Sequence, residues 1–207
     1  MEASESHMDA SLTAHVATAL AAGESFRVDL GWFGSKPVMG CVDRCVSVAG
    51  HGVYVFGWLA DPADQVSGFT IEVAHLRVEP LAEGDAVARP DVLASLEREL
   101  RGALPMEASE EGPGFAVFVK GLARAPELVR TILELRNGEV RVFETVVADT
   151  IEETFAFVRD AGWPLLAAHL PEDSAELPPV WRDALFRLLW LTEENSIDAV
   201  ELSAYLK

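Results

Sequence analysis

The sequence predicts a mainly β chain with a helical C-terminal part: an antiparallel, immunoglobulin-like β-sandwich over residues 26–148, a helical subdomain over 149–207, and residues 1–25 as a tag or leading helix. Three observations carry this. Roughly seven short apolar segments follow one another with Gly, Pro, Asn and Asp turn signals between them, the spacing of an antiparallel sandwich. Asn137-Gly138 lies between two alternating arms, a strong local hairpin signal. At Thr150 the apolar period changes from that of a strand to that of a helix.

Taken in order, Leu12 to Ala22 has high helix propensity and Gly23 is a natural stop, which predicts a short leading helix. Val42, Val46 and Val48 share one parity, so they should line one face of a strand that turns at Gly50-His51-Gly52. Val53 to Leu59 is apolar on both parities, which predicts a central strand covered on both faces, closed by Asp61-Pro62. Phe69, Ile71 and Val73 alternate with polar residues, and the parity change at Ala74 predicts a one-residue bulge. Asp91 to Arg101 reads as a helix with Asp91 as N-cap, Val92, Leu93, Leu96 and Leu100 on one stripe and Gly102 as terminator. Met106 to Gly114 reads as an acidic loop before a strand from Phe115 to Val119.

In the hairpin from Thr131 to Val147, Asn137-Gly138 predicts a type I′ turn. Leu133 and Leu135 should face the core with Val140 and Val142 opposite them, and Phe143, Thr145 and Val147 on the second face. Thr150 and Glu153 form a capping-box pattern ahead of Phe155 and Val158. Val180 to Leu191 is the strongest amphipathic segment, with Trp181, Leu185, Leu188 and Leu189 on its apolar side, and Ser196 caps a last helix through Leu206. These stripes are too few for a separate large core, so the helices should dock on the sandwich or on something outside the chain.

Composition limits the partners. The chain of 207 residues carries 34 acidic and 16 basic side chains, a formal net charge of -18, which repels nucleic-acid phosphates and anionic membrane surfaces. No apolar run reaches the roughly 18 residues of a membrane span and no signal-peptide order opens the chain, so a cytoplasmic location is expected. Met1 to Met8, with Ser-His-Met, reads as a cloning remnant. Cys41 and Cys45, four apart on a strand, would sit roughly 13 Å apart, which makes them free thiols. The sequence has no GxSxG, HExxH, Walker or GxGxxG pattern, and none of its five histidines is three or four residues from another His or Cys, so no cofactor or metal is expected.

Trp58, Asp61, Arg89 and Asp91 stand at strand ends or in connections. Structurally, Trp58 would fill the core, Asp61 would fix the Asp-Pro turn, and Arg89 would tie its loop to Asp91 or Asp43. Functionally, the same four would make a shallow sugar site, with an aromatic face for stacking and charged groups for hydroxyls.

The order VDR from Val42, GWLADP from Gly57, RPDV from Arg89 and GPGF from Gly112 resembles the β-sandwich accessory modules attached to bacterial glycosyltransferases and polysaccharide-biosynthesis proteins. The likeness runs from about Val42 to Arg141. It implies a non-catalytic domain that binds or positions carbohydrate or a glycosyltransferase partner. Two other readings stand beside it: an assembly module that forms a homo-oligomer through the Trp181–Leu191 face, which Leu188→Glu would weaken, and a small carboxylate-dependent glycan-active enzyme.

Overall fold

A computed structural model describes residues 17–31, 36–48, 51–99, 113–122, 126–147, 150–193 and 196–207. In chain order the strands are β1 (Ala17–Leu20), β2 (Ser25–Val28), β3 (Val38–Val48), β4 (Gly52–Ala60), β5 (Val66–Val73), β6 (Leu76–Val78), β7 (Asp85–Val87), β8 (Gly114–Lys120), β9 (Leu128–Leu135) and β10 (Val140–Val146). The helices are α1 (Pro80–Glu83), α2 (Pro90–Glu99), α3 (Ile151–Ala161), α4 (Trp163–Ala167), α5 (Pro179–Leu191) and α6 (Ile197–Tyr205). Among these residues the protein is mixed α/β, with two five-stranded sheets of order β1-β10-β9-β5-β6 and β2-β3-β4-β8-β7. Neighbouring strands are antiparallel except β1, which runs parallel to β10.

The two sheets share one core, the arrangement of a β-sandwich. Val42, Val53, Val55, Phe115 and Val117 from one sheet bury against Phe69, Ile71, Leu133 and Phe143 from the other, and Phe26 stacks on Phe143 at 4.3 Å between ring centroids. Every residue of β4 is buried, as its unbroken apolar run predicts, because its second face is covered too. On that face Val46, Val48, Tyr54 and Phe56 pack against Phe157, Trp163, Leu166, Trp181, Leu185 and Leu202 of the C-terminal helices. Each such large apolar side chain contributes roughly 1.5–3 kcal/mol on burial, enough to hold four short helices that would not persist alone. A third cluster seats α2, through Val92 and Leu96, on Met39, Cys41, Trp58 and Ala60.

Several expectations are corrected. Ala17–Leu20 of the expected leading helix is the strand β1, because pairing with the edge of β10 overrides local propensity; Leu12 to Val16 lies outside the described residues. Val42, Val46 and Val48 do not share a face. A register shift between Val42 and Arg44 makes a bulge, so Val42 and Cys45 enter the sandwich core while Val46 and Val48 meet the helices. The parity change at Ala74 is not a bulge but a hairpin: β5 ends at Val73, Ala74 takes φ 55°, and β6 returns beside β5. In the β9–β10 hairpin only Gly138 has positive φ, at 84°, and Leu135 N–H donates to Glu139 O at 2.8 Å. That is a three-residue loop with glycine in the left-handed position, in place of a type I′ turn. The resulting register sets Phe143 opposite Thr131 and Arg141 opposite Leu133, so Phe143 and Thr145 face the core and Val140 and Val142 lie on the outer face.

Helix starts are closer to expectation. Thr150 Oγ1 accepts from the Glu153 amide at 3.3 Å, but the Glu153 carboxylate accepts from Arg44 Nη1 at 3.4 Å and does not reach back. Ser196 Oγ accepts from the Ala199 amide at 3.1 Å. Pro90 opens α2 and Asp91 lies in its first turn, not at the cap; Leu100 to Gly112 lies outside the described residues.

Candidate functional site

Two of the four sequence-selected residues, Arg89 and Asp91, stand where β7 turns into α2. Arg89, in that connection, donates from Nε to Asp91 Oδ1 at 3.0 Å and from Nη2 to Asp91 Oδ2 at 2.8 Å, and a third donor, Nη1, meets Asp43 on the bulge of β3. Its guanidinium also stands 5.6 Å from the centroid of the Phe56 ring. The hydrogen bond from Arg89 holds the Asp91 carboxyl below its ordinary range, and the same bond raises the guanidinium further. A second guanidinium, Arg44, reaches Asp160 of α3 at 2.9 Å. Between the two arginines lies a cleft of about 440 Å³ lined by Asp43, Phe56, Val87 and Asp160. The arginines therefore act as clamps: Arg89 fixes the start of α2 to β3, and Arg44 fixes α3 to the same strand.

Trp58 is only 7% exposed, its ring set between β3 and α2. Its neighbourhood opens into a groove of about 500 Å³ that Asp91 also lines, together with Ser25, Ser95 and Arg98. Asp61 serves a different turn. Its Oδ2 accepts from the Val66 amide at 2.6 Å while Oδ1 is buried without a hydrogen-bond partner. Cys41 and Cys45 are buried free thiols, and burial pushes both well above the ordinary thiol range.

Sequence reasoning singled out the helix from Trp181 to Leu191 as an assembly face but chose its buried side, Trp181, Leu185 and Leu188. α5 and α6 lie against each other and turn outward Trp190 (87% exposed), Ile197 (76%), Leu191 (65%), Val200 (63%) and Phe186 (44%). A groove of about 760 Å³ runs between the two helices, lined by Phe186, Leu189, Trp190, Ala199, Val200 and Ser203. The signal was present: α5 reads VWRDALFRLLWL, and Phe186, Trp190 and Leu191 are apolar outside the stripe of Trp181, Leu185 and Leu188. Leu188, by contrast, is buried in the helix–sheet core and belongs to the inward face with Trp181 and Leu185.

The chain matches no protein-family model, no curated protein and no solved structure. Its own geometry is therefore what bears on function. Among the described residues no three His, Cys, Asp or Glu side chains are grouped to hold a metal ion, and no helix is long and apolar enough to cross a membrane. His169 Nε2 lies 3.3 Å from Asp85 Oδ2, which links the end of α4 to the edge strand β7.

Proposed function

We propose that this protein is a non-catalytic interaction domain: an immunoglobulin-like sandwich whose C-terminal helical subdomain presents a docking surface to another macromolecule. The observation that carries the reading is the α5–α6 face. Trp190 and Phe186 alone expose on the order of 300 Å² of aromatic surface, and Val200 extends it across the groove, to the size of patch that in soluble proteins is often functional. The charged groups that converge elsewhere, Arg89 with Asp43 and Asp91 and Arg44 with Asp160, are engaged in joining layers, which supports a positioning role for them and no turnover. The ordered motifs from Val42 to Phe115, within a likeness that runs to about Arg141, support placing the domain beside bacterial glycan-assembly enzymes.

The test is a photoreactive side chain at position 190, with a second at the exposed Leu81 as control, in the cells that make the protein. A discrete adduct from position 190 and none from position 81 is the expected result; irradiation that yields no adduct at 190 removes the reading.

The groove of about 500 Å³ beside Trp58 favours a second reading, a saccharide contact at Trp58 and Asp91 with Arg89 and Asp61 holding the surrounding loops. Titration with oligosaccharides should then shift the NMR signals of Trp58 and Ser95 while leaving those of α6 in place. Unmoved Trp58 and Ser95 signals at saturating sugar would refute it.

A further inference from the structure

We propose that the groove between α2 and β2 takes an acidic saccharide, with a uronate carboxylate set against Arg98. This rests on the second reading above, that the groove beside Trp58 holds a sugar, and it names the kind of sugar. The wall on the helix side is a single stripe: Asp91, Ser95 and Arg98, four and then three positions apart on α2, all line the groove. The facing wall is the edge strand β2, whose alternation buries Phe26 and Val28 and leaves Ser25 and Arg27 exposed, both of them lining the same groove. Buried Met39, Trp58 and Leu96 make its apolar floor. A small ligand with an apolar ring edge and many hydroxyls suits such a floor and such walls, since Ser25 and Ser95 can each donate and accept.

The charges along the two walls decide which sugar. Asp91 is matched by Arg89 through two hydrogen bonds, and Arg27 donates from Nε to Asp29 Oδ1 at 3.1 Å. Arg98 donates from Nε to the Ala94 carbonyl at 3.0 Å, and its guanidinium has no carboxylate partner among the described residues. The groove therefore holds one cation in excess, on a chain whose formal net charge is -18. The two terminal nitrogens of Arg98 fit the two oxygens of a carboxylate, and one unmatched positive charge balances one negative charge. A phosphate monoester brings about -1.5 to -2, and the surplus would stand uncompensated in a strongly acidic protein. A neutral sugar would use the hydroxyls and leave Arg98 to water.

The experiment titrates the full chain with three matched pools of disaccharides built from glucose, galactose and mannose. One pool is neutral, one is oxidised at carbon six of the end unit to the uronate, and one is phosphorylated at that carbon. Binding is read by NMR at the Trp58 indole N–H and the Ser95 amide. The uronate pool should bind about fivefold more tightly than the neutral pool and lose that advantage as salt rises past roughly 0.1 M. The advantage should also vanish in Arg98→Gln, an exposed position whose replacement leaves the urea midpoint in place. Equal binding of the neutral and uronate pools, or a uronate preference that survives Arg98→Gln, overturns the acidic sugar and leaves the saccharide reading standing. Tighter binding of the phosphate pool than of the uronate pool overturns the match to a single charge. If no pool moves the Trp58 and Ser95 signals, this inference and the saccharide reading beneath it both fall.

Discussion

Two tryptophans nine positions apart on α5 should respond oppositely to substitution. Trp181 is 1% exposed, sits 5.7 Å from Tyr54 and 6.1 Å from Phe157 between ring centroids, and donates Nε1–H to Ser47 O at 2.8 Å. Trp181→Phe keeps an aromatic ring but strands the Ser47 carbonyl of β3, which costs about 1–3 kcal/mol, and leaves a small void worth about another 1 kcal/mol. The total of about 3 kcal/mol corresponds to a fall in Tm of roughly 6–12 °C for a domain of this size. Trp190→Ala should change stability by no more than about 0.5 kcal/mol, since its side chain is 87% exposed. The assay is urea unfolding followed by far-ultraviolet circular dichroism, with midpoint and slope fitted together. If Trp181→Phe unfolds at the wild-type midpoint, the helical layer is not held to β3 by this contact and the reasoning fails; a Trp190→Ala variant as unstable as Trp181→Phe would refute it from the other side.

Leu188→Glu places a carboxylate in the helix–sheet core and should cost more than about 3 kcal/mol, so loss of soluble, folded protein is expected; a folded variant with altered mass would restore Leu188 to the outer face. Asp91 is held below its ordinary range by Arg89, so its contribution is present above about pH 4 and is lost as pH falls through the lowered value. Because its side chain is 64% exposed, that contribution is below about 1 kcal/mol. Asp91→Asn should flatten the acid side of the stability profile by that amount, and an unchanged acid slope in urea midpoints would contradict the pairing. Both cysteines should resist a charged thiol reagent in the folded protein and react fully in denaturant, because burial disfavours the thiolate; rapid labelling of the native chain would show that β3 is open to solvent.

The sequence by itself determined the doubly covered central strand and where α3 and α6 begin. Val53 to Leu59 is apolar on both parities and so had to be covered twice, Thr150 and Ser196 cap the helices they precede, and the stripe of Trp181, Leu185 and Leu188 had to be buried. These are local facts, set by period and by the first orphan amides of a helix. Tertiary structure decided what a one-residue offset does. The bulge at Asp43 sends Val46 and Val48 to the helices, and the glycine loop at Gly138 turns Phe143 inward in place of Val142, because side chains alternate faces and a single extra residue reverses every one that follows. The same holds for the surfaces. Arg44 meets Asp160 across 116 positions, a pairing that no spacing reveals, whereas Arg89 takes both Asp91 and Asp43, the partners expected of it. Trp181 and Trp190 are alike as letters, and only the packing of α5 against β3 and β4 makes one of them core and leaves the other in water.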